Sequence, residues 1–227
     1  MKKKIVIFGI GKIAEIVYYY ATQDCGFEVK AFCVDDSFKT SDNFLGKPVI
    51  GFGQVENTYP PSEYNMFVAV GYHDLNALRK QKCTESMEKG YTLVSIISPF
   101  TNLPSNVTFG YNCFIMPPAI IHPCVAIGNN VFIWSGALVG HHSRISDHCW
   151  LTSNCNIGGN VELGEQTFVA LNATIANSIA IGKFCFLGAN TLVTKTMADE
   201  QVVISESSKP IRLNSKQFLK MSSFSSL

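Results

Sequence analysis

The chain has 227 residues, with eighteen Lys and Arg against seventeen Asp and Glu for a net charge of +1, and 47% of its residues are hydrophobic. That balance excludes a disordered chain, which combines low hydrophobicity with high net charge. It also argues against a general nucleic-acid binder, whose affinity rests on a basic surface that neutralises phosphates.

The start, Met1-Lys-Lys-Lys, has the charge of a signal peptide, but its apolar stretch runs only from Ile5 to Phe8 before Gly9. No small-residue cleavage site follows cleanly. No apolar run approaches the roughly 18–20 residues of a transmembrane helix. A buried first strand, no membrane insertion and a cytoplasmic protein are expected. Eight cysteines contain no C-x-x-C pair, and a disulfide framework belongs to small secreted domains.

Lys4 to Phe8 reads as a strand, followed by Gly9-Ile-Gly11-Lys-Ile-Ala14 and a helical stretch to about Cys25. Glu28 to Val34 is the next strand and ends in Asp35-Asp36; Met66 to Val70 is another and ends at Gly71. Asp74 to Lys89 is helical in composition, and Tyr91 to Ile96 is strand-like. Strands alternating with helices at this spacing imply a parallel sheet with crossover helices. Gly9, Gly11 and Ala14 form a G-x-G-x-x-A turn between strand and helix, where backbone and helix N-terminus can approach phosphate. No second mononucleotide-binding half follows, so a nucleotide half-site fits better than a full NAD site. A tight turn with no ligand is the alternative.

From Phe109, every sixth residue to Val193 is large and apolar, fifteen in all, and the residue after it is often glycine, as at Gly128, Gly140, Gly158 and Gly164. Cys113, Cys149, Cys155 and Cys185 fall two residues before that position, where small apolar fillers belong. Neither a helix nor an alternating strand has period six; a hexapeptide β-helix does. Three hexads close one triangular coil. Fifteen make five coils, about 24 Å tall at the usual strand spacing. No hexad is interrupted, so no long loop is inserted between coils. The expected architecture is α/β plus all-β: a small Rossmann-like domain (1–98), a left-handed parallel β-helix (99–205) and a tail (206–227).

These features together resemble the hexapeptide-repeat acyltransferases of the left-handed β-helix superfamily. Within it, the chain is similar to bacterial nucleotide-amino-sugar N-acetyltransferases of the sialic-acid O-acyltransferase-like family. The resemblance spans residues 3 to about 204 and rests on Gly9-x-Gly11, Asp35-Asp36, Val70-Gly71, the hexads, His141, Gly159-Asn160-Val161 and Phe186 to Asn190. It implies a homotrimer that binds acetyl-CoA in the groove between neighbouring β-helices. It further implies acetylation of a nucleotide-linked amino sugar, often a 4-amino-4,6-dideoxyhexose destined for a surface glycan such as O-antigen.

Carried over by position, His141 matches the general base, and the residue after it, usually acidic, is His142. The Gly159 N–H matches the donor to the acetyl carbonyl, and Leu171 and Ala189 match contacts to the pantetheine arm. Gly9, Gly11, Lys12, Ile13, Asp35, Asp36 and Gly71 match the nucleotide-sugar pocket. Two departures stand out: Trp150 where some members have a second histidine, and Ser205 to Pro210 in place of G-x-P-A-K near the adenine.

Acyl transfer from a thioester needs a neutral amine, a place for its proton, and donors for the developing oxyanion. Histidine, with an unperturbed pKa near 6.5, suits the proton transfer. Either His142 or Asp147 could orient the His141 ring. No serine or cysteine stands in a convincing triad, which favours direct attack. The histidine spacings (122, 141, 142, 148) do not fit a three-histidine metal site, so no metal is expected. His122 and His148 read as surface or packing residues. Trp134 and Trp150 floor a sugar pocket or pack between subunits, and His73 contacts the nucleotide or caps a helix. The acidic pair can receive a pyrimidine N3–H, which leans toward dTDP or UDP, although a guanine N1–H could serve. Two alternatives stay open: O-acetylation of a sialic-acid-like sugar, and a non-catalytic nucleotide-sugar-binding accessory protein.

Overall fold

A computed structural model describes residues 3–221. The first part is a five-stranded sheet built from β1 (Lys4–Phe8), β2 (Glu28–Val34), β3 (Asn43–Phe44), β4 (Lys47–Gly51) and β5 (Asn65–Val68). Its order is β3-β4-β2-β1-β5, and every pairing is parallel except the short β3–β4 hairpin. The helices are α1 (Lys12–Gln23), the single turn α2 (Val55–Thr58) and α3 (Ala77–Glu88). Side chains of β1 alternate between the two faces of the sheet, as period two requires. Ile5 and Ile7 face α1, while Val6 and Phe8 pack with Phe52, Val55 and Cys83 on the other side.

The segment 91–96, which reads as a strand, pairs with the sheet only at Leu93, opposite Met66. It then leaves to begin the second part as β6 (Ile96–Ile97), which pairs with β8 (Phe114–Ile115). From β7 (Thr108–Phe109) to β21 (Leu192–Val193) a two-residue strand recurs every six residues. Up to β18 each pairs in parallel with the strand three places on, so 18 residues make one coil. Three sheets result. One holds β7, β10, β13, β16 and β19; one holds β6, β8, β11, β14, β17, β20 and the terminal β22 (Val202–Val203); one holds β9, β12, β15, β18 and β21.

The second residue of every hexad except Phe109 points into the prism and is buried, as at Ile115, Ile133, Leu151, Val169 and Leu187. The corners turn through a left-handed residue at a fixed phase: Asn112, Asn130, His142, His148, Asn154, Asn160, Asn172 and Asn190 are among them, with φ between 52° and 62°. Asparagine tolerates that conformation better than other non-glycine residues, which explains its recurrence. Cys113, Cys149 and Cys185 are buried, and each thiol donates to a carbonyl 13 or 15 residues on, such as Cys149 Sγ to Gly164 O at 3.2 Å. All eight cysteines are free. The final coil is two residues short: Ile181 bridges to Met197 and Leu187 pairs with Val203, sixteen residues away rather than eighteen.

One outer face of the prism is covered by the α/β part. Phe114, Phe132, Trp150 and Phe168 open the strands of the second sheet and are all buried against Ile5, Ile7, Phe67 and α1. Coil spacing stacks their rings, with Phe132 and Trp150 at 5.0 Å between centroids. A polar column runs beside them. Asn112 closes the edge of β5 by accepting from Val68 N at 2.7 Å and donating to Val68 O, and its amide also reaches Asn130. Asn130 Nδ2 in turn lies 2.9 Å from His148 Nδ1. The side chains thus complete a sheet edge that would otherwise be buried without partners.

Asn130 can only donate from Nδ2, so His148 carries its proton on Nε2. Burial, aided by Lys80, pushes the His148 pKa down to about 4. The unfolded chain therefore takes up this proton first as pH falls. The stability that neutral His148 supplies is complete above about pH 6.5 and is lost on descent toward pH 4, in all about 3 kcal/mol. Denaturant titrations between pH 7 and 4 should give a steeper loss for the natural chain than for His148→Gln; parallel curves would remove the assignment.

Candidate active site

A cavity of about 480 Å³ opens at the carboxyl ends of β1, β2 and β5 and is lined by Gly9, Gly11, Lys12, Ile13, Asp35, Phe38 and Gly71, among others. Ligands of parallel sheets bind at this end of the strands. Gly9 is required twice over: its φ is +117°, and a Cβ there would lie 2.7 Å from the Ala69 carbonyl oxygen. Gly11, by contrast, has open space around its Cα and caps α1 from an extended conformation. Gly9→Ala is expected to destabilise the fold by about 1–3 kcal/mol. Gly11→Ala should cost less than about 1 kcal/mol, as a cap change does. Thermal and denaturant melts of the pair check this; equal losses would sink it.

Asp35 lines this cavity, its Oδ1 accepting from Lys82 Nζ at 2.6 Å. Asp36 does not. Its carboxylate accepts from the Gly53 N–H and fills the space beside Gly51 and Gly53, where any Cβ would strike it. The two adjacent acids therefore separate, one toward the cavity and one into a loop anchor.

A second cavity, about 370 Å³, shares Ile13 with the first and runs between the α/β part and the β-helix. Its walls are Tyr72, Trp134, Trp150, Phe168, Leu171 and Ala189, with Thr152, Ser153 and Ala170. Tyr72 packs on Trp150 and Phe168 at 5.3 and 4.7 Å between ring centroids. Trp150 thus belongs to the aromatic stack beneath the α/β part and is almost fully buried while lining the cavity. Leu171 and Ala189 lie at the prism corner between the second and third sheets.

His141 and Gly159 lie elsewhere, at the corner between the third sheet and the first. His141 is exposed, and its ring covers Gly159, where a Cβ would come within 2.9 Å of Cε1 and Nε2. His141 Nδ1 and His142 Nδ1 are 3.1 Å apart, so one ring donates to the other. Asp147 is not the orienting group: it accepts from Asn129 N and Nδ2, one corner away. The Gly159 N–H is engaged as well, donating to Asn177 Oδ1 at 2.8 Å. Asn177 is a residue that sequence reasoning overlooked. The matching bonds from Asn129 N to Asp147 and from Lys183 N to Asp199 show that a side chain one coil on often fills this slot.

Sequence reading also missed Arg79, which is fully buried between the two parts, and Tyr72. His73 lies outside both cavities, and the N-cap of α3 is Asn76, not His73. Among the described residues no three His, Cys, Asp or Glu side chains converge as metal ligands would.

No protein-family model matches the chain, and no curated protein matches it. Solved structures do. The acetyltransferase domain of PglB from Neisseria gonorrhoeae, in complex with acetyl coenzyme A, superposes with a TM-score of 0.81 at 21% identity, covering 93% of this chain and 100% of that one. A variant of perosamine N-acetyltransferase from Caulobacter crescentus, in complex with CoA and GDP-perosamine, gives 0.73 at 26% identity, covering 89% and 93%. WeeI from Acinetobacter baumannii gives 0.66 at 18% identity, covering 89% and 97%. The chain therefore has the fold of the left-handed β-helix, hexapeptide-repeat sugar N-acetyltransferases, with a parallel α/β unit set against one face of the helix.

Proposed function

We propose that the chain transfers the acetyl group of acetyl-CoA to the amine of a nucleotide-linked amino sugar, a 4-amino-4,6-dideoxyhexose destined for a surface glycan, and that it does so as a homotrimer. The observation that carries this reading is the pair of cavities joined at Ile13. The first, with its glycine turn and helix N-terminus, suits a nucleotide diphosphate. The second leads from there to Leu171 and Ala189 along walls that are mostly aromatic and aliphatic, which suits a deoxy sugar and a thioester arm. Acetyl-CoA bound to the PglB domain, and CoA with GDP-perosamine bound to the C. crescentus enzyme, lend support.

The prism supports a shared site of this kind. Leu171 and Ala189 occupy one corner and His141 and Gly159 the next, with the third sheet between them. A site that uses both sets takes one corner from each of two copies. Ile120 and Leu192 leave apolar surface on that intervening sheet for a neighbour to cover.

In the reaction the sugar amine attacks the thioester carbonyl carbon, a C–N bond forms, and the tetrahedral oxyanion collapses with loss of CoA thiolate. The amine proton passes to His141 Nε2 and on to the thiolate sulfur. For Nε2 to be basic, His141 must hold its other proton on Nδ1, and His142 Nδ1 at 3.1 Å accepts it. The Gly159 N–H reaches the oxyanion once Asn177 turns aside, and such a donor lowers the barrier by about 3–4 kcal/mol.

Thiol release from acetyl-CoA, measured on dTDP-, UDP- and GDP-linked 4-amino-4,6-dideoxyhexoses, tests the reading. All three bases belong in the panel because the Asp35 oxygen left free by Lys82 accepts from a pyrimidine N3–H or a guanine N1–H alike. Turnover with one member, giving a product heavier by one acetyl group, is the expected result. A sugar nucleotide that binds while no thiol is released would overturn it.

A further inference from the structure

Beyond the last coil the chain changes character. Residues 205–221 hold Lys209, Arg212, Lys216 and Lys220 against the single acid Glu206, whereas residues 1–204 carry fourteen Lys and Arg against sixteen Asp and Glu. The same stretch is rich in exposed apolar side chains: Ile211 is 62% exposed, Phe218 51% and Met221 75%. It ends in α4 (Ser215–Met221), none of whose residues is buried. At 100° per residue, Lys216 and Lys220 fall together on one side of α4, Phe218 and Met221 share the opposite arc, and Leu219 lies on the flank next to Lys216.

We propose that this tail is a docking surface for an anionic lipid bilayer, on which α4 lies flat without spanning it. Exposed bulky side chains on one arc and cations on the other are what an interfacial helix presents to lipid. The charge contrast supplies the partner's sign: the acid-leaning body is repelled by an anionic surface and the tail is drawn to it, which orients the molecule tail-first. An acidic protein surface would meet the lysines but would leave Ile211, Phe218 and Met221 in water. Each cation adds to the pull and salt weakens it. A single tail of this size binds weakly and reversibly. Several tails presented by one oligomer would bind together, raising the apparent affinity without new contacts.

The inference is independent of the acetyl-transfer reading, and its test uses lipid alone. The purified full chain is sedimented with vesicles of phosphatidylcholine and with vesicles containing about 30% phosphatidylglycerol, at low and high salt. The expected result is at least about tenfold stronger partition to the anionic vesicles, lost at high salt. Lys216→Glu with Lys220→Glu should abolish the difference, and Phe218→Ser should weaken it severalfold, both with unchanged thermal unfolding. No preference for anionic vesicles would overturn the proposal. So would a preference that survives both variants. A tail that instead seats on a second copy would show as a change in oligomeric mass when Phe218 is replaced, with no vesicle binding, and that too would overturn it.

Discussion

Replacing His141 by alanine should lower turnover by about 10²–10⁴-fold, the usual contribution of a positioned general base, while both substrates still bind. The ring lies over Gly159 and, among the described residues, its one side-chain hydrogen bond is to His142, so its removal uncovers a surface corner and leaves the core intact. Unfolding midpoints should therefore stay within about 0.5 kcal/mol of the natural chain, as for most surface substitutions.

His142 is the sharper test of mechanism. If His141 Nδ1–H donates to His142, then His142→Ala loses orientation but not the base, and the cost should be about tenfold to a hundredfold. His142→Asp restores an acceptor in a backbone slot with φ of 60°, which aspartate tolerates, and should recover part of that loss. Steady-state kinetics with saturating acetyl-CoA separate the cases. Near-normal turnover in His141→Ala would remove it from the role. A His142→Ala variant crippled more deeply than His141→Ala would reverse the assignment within the pair.

The β-helix was legible because a period-six signal sustained over fifteen hexads has no other physical source. Its outer faces were harder to read, although the clue is present at a longer period. Phe114, Phe132, Trp150, Phe168 and Phe186 recur every 18 residues, whereas the equivalent positions of the first sheet are Thr108, Ala126, Arg144, Glu162 and Ala180. Only one of the three faces is uniformly aromatic, and it is the face the α/β part covers. Asn112, Asn130, His148 and Gln166 keep the same 18-residue interval and form the polar seam beside it. Read at that interval, Trp150 is a packing residue of the seam.

The glycine turn was legible from Gly9 and Gly11, since one needs a positive φ and the other an open approach. The divergence of Asp35 and Asp36 was not, because it depends on Lys82 and Gly53, which are distant in sequence. For the same reason Asn177 went unread: its bond to the Gly159 N–H spans one full coil. The strands β3 and β4 escaped notice because they are short and interrupted by Pro48.

The largest loss of stability is expected from Arg79→Met. The guanidinium is fully buried and has no ion-pair partner among the described residues. It is held by oxygens instead. Nε donates to Asn130 Oδ1 at 2.8 Å, Nη1 to Asn76 Oδ1 at 2.9 Å, and Nη2 to Asn130 O at 3.1 Å, with longer contacts to Gly71, His148 and Cys149 carbonyls. Its plane lies over Phe132 and Trp150, at 4.3 and 5.0 Å from the ring centroids. Burial lowers its pKa only to about 10, so it stays charged at neutral pH.

Methionine preserves volume but takes the arginine donors from Asn76 Oδ1 and from the Asn130 carbonyl, while Asn130 Oδ1 keeps Asn112, and each stranded buried polar group costs about 1–3 kcal/mol. A total of about 3–5 kcal/mol is expected. Lysine should recover little of it, because a point charge cannot reproduce the planar fork or the stacking. These contacts join α3 to the β-helix and touch walls of both cavities, Gly71 in one and Trp150 in the other. The loss should therefore appear as uncoupling as well as instability. Denaturant unfolding, followed by far-ultraviolet circular dichroism and tryptophan fluorescence, should show one transition for the natural chain and two for Arg79→Met. The tryptophan signal, which reports the seam, should change first. Both tryptophans lie on the β-helix at that seam, so a single transition shifted by less than about 1 kcal/mol would mean that the aromatic ladder alone holds the two parts together.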